Sequence, residues 1–525
     1  VEVKVICPRC SGSFSEQPER VVCKTKCRSC SYEFVPVVEN GVACPLCGAV
    51  TMLPHDNLKR RVACINCSFV FRKARWWRRR RTLILGAIAA PVLVVAVFVL
   101  IRWYSNVSLA KELRAEVEAW LQTIPKIQDS ENGMLPVLSG VESFKGGDSL
   151  PERLKADDFS VENESDKALL KQYLTEKEAA LMQIYKGLTY KKFSCPGDYR
   201  KGYKRELPSL RGFRNAARTL ELKGNLLESE GKKSEALNEY LNVFRLGETL
   251  SNDHDLIPRM TEVSVLDTAF RRLTRIFSER SVGEKDVSAA LKLLIELHGN
   301  RGNLFTMAAN EYYGFLICIA DAIEGKTDLY AVVTAHTFER PRPSTLARIV
   351  TSKYVYDYRY DVKIYRKAAE IWRRTDPAKY YVLPPEAKSG EAYIETLGLR
   401  TKGIRGIFVK ITLPGLTWAE TLAMYETLWR GAIALAAIRL FEAQNGRLPK
   451  NLKELGNFVP EEFFIDPFSG KEIIYRLEGN DFYLYSVGVD GVDGNAASAI
   501  PYFKEKKSAY DQPDIIFHTP SALKK

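Results

Sequence analysis

Cys7-Pro-Arg-Cys10, Cys27-Arg-Ser-Cys30, Cys44-Pro-Leu-Cys47 and Cys64-Ile-Asn-Cys67 stand within the first 67 residues of a 525-residue chain. The last two motifs repeat the first two, every cysteine displaced by 37 positions. In each copy 16 residues separate two CxxC knuckles, a spacing that lets two turns converge on one tetrahedral ion. The copies share more than cysteine: Pro8 matches Pro45, Ser31 matches Ser68 and Phe34 matches Phe71. A tandem duplication of one small metal module is therefore expected, over residues 1–37 and 38–73.

All eight ligands are thiolates and no position is left open for water, which favours structural over catalytic zinc. A module this short buries too little apolar surface to fold alone, so metal binding, worth about 10–16 kcal/mol, supplies the folding energy. Each half resembles the prokaryotic zinc-ribbon family, in which a CPxC knuckle leads through a short hairpin to a CxxC followed by an aromatic. The likeness covers residues 5–37 and 42–73. Cys23 lies off the repeat frame, opposite Arg60, and reads as a bystander.

Residues 82–101, TLILGAIAAPVLVVAVFVLI, carry no charge. At about 1.5 Å per residue they make a helix of about 30 Å, the thickness of a hydrocarbon core. A transmembrane helix is expected over 82–103, with Trp76 and Trp77 before it and Trp103 and Tyr104 after it as interfacial anchors. Residues 74–81 form the basic stop, including Arg78, Arg79, Arg80 and Arg81, against Arg102 alone immediately beyond. The positive-inside rule then places the N-terminus in the cytoplasm and the remainder outside a bacterial inner membrane. A reducing cytoplasm also keeps thiolates available for zinc. A cleavable signal peptide is not expected, because two modules precede the apolar segment. The chain opens on Val1, which leaves room for further ribbons upstream.

The net charge of +13 invites a nucleic-acid reading, which its distribution weakens. Residues 1–81 hold 16 Lys or Arg against 6 Asp or Glu, a net of +10. Seven of those bases fall in the run 71–81 next to the membrane helix, where anionic headgroups are partner enough. Of the nine that remain on the ribbons, Lys24, Lys26, Arg28, Lys59, Arg60 and Arg61 form a modest patch, read as a solvated basic face.

Residues 104–415 read as a mostly α-helical extracytoplasmic domain. Leu113, Val117, Trp120, Leu121 and Ile124 continue the membrane helix as a stalk, and the glycine-containing stretch 128–165 reads as an irregular connector. Helices are expected at about 166–188, 207–231 and 233–250. In the last pair Leu220, Gly224, Leu227, Gly231, Ala236 and Tyr240 resemble one tetratricopeptide hairpin, which implies a helical-hairpin array. The alternation of Tyr354, Tyr356, Tyr358 and Tyr360 fits a strand or packing aromatics equally. The long apolar helix at 416–444 is interrupted by Arg430 and Arg439 and is not expected to cross a membrane.

Residues 416–525 read as an α+β module. Helix, Asn445-Gly446-Arg447-Leu448-Pro449, Asp466-Pro467-Phe468-Ser469-Gly470, a hairpin turning at Gly479, Ser486-Val487-Gly488 with Asp490-Gly491, and a late Asp514-Ile515 follow in that order. This order resembles the soluble half of the major pseudopilins of type II secretion systems. The resemblance implies a calcium loop at Asp490, Asp493 and, less directly, Asp514, while Asp-Gly pairs make turns without any ion. The chain departs from that family in having its membrane helix more than 300 residues upstream and without an acidic residue.

His254, His298, His336 and His518 fall in no metal frame, and Ser108/Lys111 and Ser229/Lys232 match SxxK without companion motifs. Cys195 and Cys318 read either as an external pair or as buried thiols. The expected function is a non-enzymatic single-pass membrane scaffold or adaptor. It would have two structural Zn2+ ions, membrane lipid around one helix and protein partners on both faces, with no small-molecule substrate. A transmembrane signal transducer whose ribbons meet nucleic acid or transcription machinery is the less favoured alternative, and an envelope hydrolase the third.

Overall fold

The computed structural model describes residues 3–7, 9–16, 25–34, 41–43, 46–47, 50–52, 61–64, 66–68, 70–72, 76–146, 150–156, 159–251, 253–299, 309–327, 352–398, 417–496 and 514–520. The chain divides into two compact units, Val1–Phe98 and Val99–Lys525.

The first unit holds four antiparallel two-stranded hairpins: β1 (Val3–Ile6) with β2 (Ser13–Glu16), β3 (Thr25–Lys26) with β4 (Glu33–Phe34), β5 (Gly41–Ala43) with β6 (Val50–Met52), and β7 (Arg61–Ala63) with β8 (Val70–Arg72). Each CxxC motif is itself the connection between two paired strands, so one ribbon consists of two knuckled hairpins rather than one hairpin between two knuckles. The strands are two to four residues long and no isolated hairpin of that size is stable in water. The stability of each must come from what the knuckles hold.

Helix α1 runs from Trp76 to Leu121, with Pro91 inside it. From Ala89 it is long and apolar enough to cross a membrane, by length and composition. Val92 to Val95, Leu100 and Ile101 are all at least 59 % exposed, the inverse of a soluble core helix.

Beyond Phe98 the second unit is mostly helical. α2 (Met134–Glu142), α3 (Glu152–Lys155), α4 (Glu164–Glu176) and α5 (Glu178–Leu188) precede the long helices α6 (Leu210–Ser229), α7 (Lys233–Ser251), α8 (Leu256–Ser278) and α9 (Glu284–Gly299). Then come α10 (Ala309–Glu324), α11 (Tyr358–Arg374), two short helices at Pro385–Lys388 and Gly390–Thr396, and α12 (Thr417–Asn445).

The stretch 128–165, expected to be an irregular connector, contains α2 and α3, and Gly133 and Gly140 are contact surfaces. A Cβ on Gly140 would fall 2.5 Å from the Ala180 carbonyl oxygen, and one on Gly187 would fall 2.5 Å from Val137. Without side chains at these points α2 and α5 approach backbone to backbone and bury Met134, Val137, Val141 and Ile184. The segment expected as one helix at 166–188 is two, broken at Lys177, and both pack on the same core.

The α6–α7 hairpin forms as expected. Gly224 abuts the Tyr240 ring, which a Cβ would meet at 2.4 Å, and Gly231 opens the turn at φ +79°. Of the alternating tyrosines, Tyr358 and Tyr360 lie on α11 and Tyr356 just before it, so the helix-packing alternative holds. Tyr356 and Tyr358 are buried while Tyr354 is exposed.

Helix α12 is buried on all sides. Its arginines sit inside the fold: Arg430 donates to Glu426 and to the Ile465 carbonyl. Arg439 donates to the carbonyls of Phe277 and Ser278 at 2.8 and 3.3 Å, closing the exposed end of α8.

The last three strands, β9 (Ile474–Glu478), β10 (Asp481–Ser486) and β11 (Ile515–His518), make an antiparallel sheet in the order β11-β10-β9. β9 turns into β10 through Gly479 at φ +60°. Buried Asp466 ties the preceding turn to this sheet by accepting from the amides of Phe468 and Val487 at 2.9 and 3.0 Å. One hydrophobic cluster runs from Met134 through α12 to Phe517.

Candidate metal centres

The knuckles are built by backbone geometry before any ion is considered. The amides of Ser11, Ser31 and Ser68 donate to the carbonyls of Cys7, Cys27 and Cys64, each at 2.9 Å, closing a turn around each CxxC. These serines sit at φ +56°, +53° and +54°, a left-handed conformation that costs a non-glycine residue about 1–2 kcal/mol. Each directly follows the second cysteine of its motif. The left-handed serine lets the chain turn away from the knuckle into its second strand.

In the first ribbon the Sγ atoms of Cys7 and Cys30 lie 3.6 Å apart, as do those of Cys10 and Cys27. Four sulfurs at about 2.3 Å from a central zinc are about 3.8 Å from one another, whereas a disulfide would bring two to about 2.05 Å. All four Sγ atoms lie within 4.8 Å of one another. In the second ribbon Cys47, Cys64 and Cys67 are gathered in the same way, with Cys47 and Cys64 Sγ 3.4 Å apart. Cys44, the expected fourth ligand, lies outside the described residues, as does Cys23. Both clusters are positioned to hold a metal ion, and their thiolate set suits zinc.

The clustered sulfurs share charge unevenly: Cys27 is lowered, while Cys30 is pushed up to about 12, its backbone bond at Tyr32 being outweighed by burial and by the Cys10, Cys7 and Cys27 sulfurs. Burial pushes the Cys27 thiol up, but the amides of Cys30 and Ser29 and the neighbouring Cys10 and Cys30 sulfurs outweigh it and bring it down to about 6. Cys64 also reaches about 6, burial again being outweighed, here by the amides of Asn66 and Cys67 and by the Cys47 and Cys67 sulfurs. The Asn66 amide lies 3.4 Å from Cys64 Sγ. Beneath the first cluster Phe34 is buried, edge-on to Phe14 at 6.5 Å and stacked on Tyr32 at 6.2 Å.

Of the basic residues on the ribbons, Lys26 is exposed on β3, and exposed Arg28 holds its guanidinium 6.0 Å from the Phe14 ring. Arg61 lies on β7, and Lys24, Lys59 and Arg60 fall outside the described residues. Trp76, Trp77 and Arg78 to Arg81 form the first turns of α1, while Trp103 and Tyr104 are 41 % and 73 % exposed.

The carboxylates of the C-terminal loop are engaged by their own chain. Asp490 accepts from the Val492 amide, Asp493 from the Tyr485 hydroxyl and the Asn495 amide, and Asp514 from the amides of Gly494 and Ala496. Among the described residues these three do not form a metal-ligand group. Asp514 thus ties its strand to the turn at Gly494 and Ala496.

Elsewhere the titratable side chains are joined in packing. His298 Nε2 lies 2.9 Å from Glu426 and His518 Nε2 lies 2.8 Å from Asp481. His336 lies outside the described residues. The Ser229 hydroxyl donates to the Leu226 carbonyl, and Lys232 pairs with Glu230. Cys195 and Cys318 are buried free thiols, and burial pushes Cys318 up to about 12.

Sequence reasoning missed a buried cluster in which Arg205 bridges Asp253 and Asp255, Asp255 accepts from Asn310, and Tyr199 donates to Asp253. Its members come from segments about 50 and 100 residues apart, and no local pattern announces them. Comparison with protein-family models, with characterised proteins and with solved structures finds no match to this chain.

Proposed function

We propose that the protein is a non-enzymatic, single-pass membrane scaffold in which two zinc-folded ribbons dock a protein partner in the cytoplasm. The outer domain engages a partner in the cell envelope. The observation that carries this reading is the pairing of thiolate clusters with a helix long and apolar enough to cross a membrane, within the first 121 residues. Four thiolates around one centre leave no coordination position for substrate, so the metal's role is to hold a surface.

The orientation rests on the basic run at 74–81. The last hundred residues are read as a pseudopilin-like cap, on the order of helix, Asp466 turn, hairpin and late strand. Within the second unit the described ionisable side chains discussed above serve as caps and buried pairs, which supports binding over catalysis.

The test is crosslinking of the full chain in native membranes followed by identification of what is captured at each face. Protein adducts to the ribbons are expected. Recovery of nucleic acid in their place, with binding that weakens steeply as salt is raised, would replace this reading with that of a transmembrane transducer.

A further inference from the structure

We infer that the segment 352–357 of the outer domain is a second membrane contact, lying in the headgroup region of the outer leaflet beside the exit of α1. The inference rests on the reading of α1 as a membrane span and adds a lipid-binding surface to it.

Two ties fix the height of this segment along the helix. Asn106, fully buried one turn beyond Trp103, donates from Nδ2 to the Lys353 carbonyl at 2.8 Å and to the Tyr356 carbonyl at 3.0 Å. Arg102 pairs with Asp357 at 2.8 Å. Residues 102 and 106 are about 6 Å apart along a helix axis, so the segment between Lys353 and Asp357 is held at the level where α1 passes from apolar to polar. Leu100 and Ile101, at 59 % and 64 % exposure, end the apolar stretch there, and Trp103 and Tyr104 follow.

What this segment presents is interfacial in kind. Tyr354 is 46 % exposed and Val355 37 %, adjacent in sequence, while their neighbours Tyr356 and Tyr358 are buried in the core. Lys353 holds its ammonium 5.5 Å from the Tyr354 ring. A tyrosine, an aliphatic side chain and a lysine, placed level with Trp103 and Tyr104, extend the aromatic belt of the span onto the domain. Facing water, Tyr354 and Val355 would leave apolar surface uncovered. Facing lipid they gain area burial, and Lys353 gains anionic headgroups. The occupant is therefore a phospholipid surface, continuous with the lipid around α1.

The test is photocrosslinking of the full chain reconstituted in vesicles of phosphatidylethanolamine and phosphatidylglycerol. p-Benzoylphenylalanine is placed singly at the positions of Leu93, Tyr354 and Met182. Met182 is 59 % exposed on α5 and serves as the water-facing reference. The expected result is phospholipid adducts, read as a mass shift, at positions 93 and 354 and none at 182. Adducts at 93 with none at 354, or with 354 crosslinked to protein, overturn the second contact while the span stands. Loss of adducts at both 93 and 354 overturns the span and this inference together. Adducts at all three positions also overturn the inference, because the reference would then be no drier or wetter than the proposed contact.

Discussion

A serine in the left-handed region is a costly way to close a turn, and this chain does it after three of its cysteine pairs. Ser11, Ser31 and Ser68 show that the knuckle extends one residue past its second cysteine, to the strained position whose amide closes the turn on the first. The cysteine frame was legible in sequence because a metal dictates local spacing, and Phe34 was legible as the plug because it follows a knuckle at a repeated offset. The amide hydrogen bonds that Asp490, Asp493 and Asp514 accept were not legible in sequence, since they depend on how the loop folds back on itself. At this scale the expectation is that Cys27→Ser lowers the metal content of the purified full chain from about two zinc ions to about one, because a single thiolate removed opens one tetrahedral site. Elemental analysis of reduced protein checks it, and retention of both ions would show that Cys27 is not a ligand.

Elements were read best where periodicity was long. The helices expected at 207–231 and 233–250 are α6 and α7 to within a few residues, and α12 begins and ends where its apolar pattern does. The stretch 128–165 was misread because glycine signals a turn and a close helix crossing equally, and only the partner helix decides between them. Gly140 has such a partner. Gly140→Ala would drive a Cβ into the Ala180 carbonyl and part α2 from α5, at a cost of about 1–3 kcal/mol. Gly283, which has nothing within 4 Å of an added Cβ, provides the comparison: Gly283→Ala should leave the melting temperature near that of the parent. Thermal unfolding of both variants tests the distinction, and equal melting temperatures would contradict the crossing geometry.

At the scale of the whole chain, topology was the firmest expectation from sequence and domain division the least firm. The charge step at 74–81 and the apolar run after it are local signals. A packing boundary is not: the cluster from Met134 to Phe517 is assembled from segments far apart in the chain. Protease added to the outside of sealed right-side-out vesicles should digest the region after residue 104 and spare a fragment containing both ribbons. Ribbons cleaved from outside would reverse the orientation. The seat of Phe517 carries one further consequence. Its ring lies over Gly431, where a Cβ would meet it at 2.1 Å, and Arg439 on the same helix closes the end of α8, about 160 residues earlier in the chain. Helix α12 is therefore finished only when both ends of a very long loop have met it, a slow class of closure. Until residues 515–518 join the sheet, the flank of α12 at Gly431 stays uncovered, so β11 seals a packing that α8 and α9 have already begun.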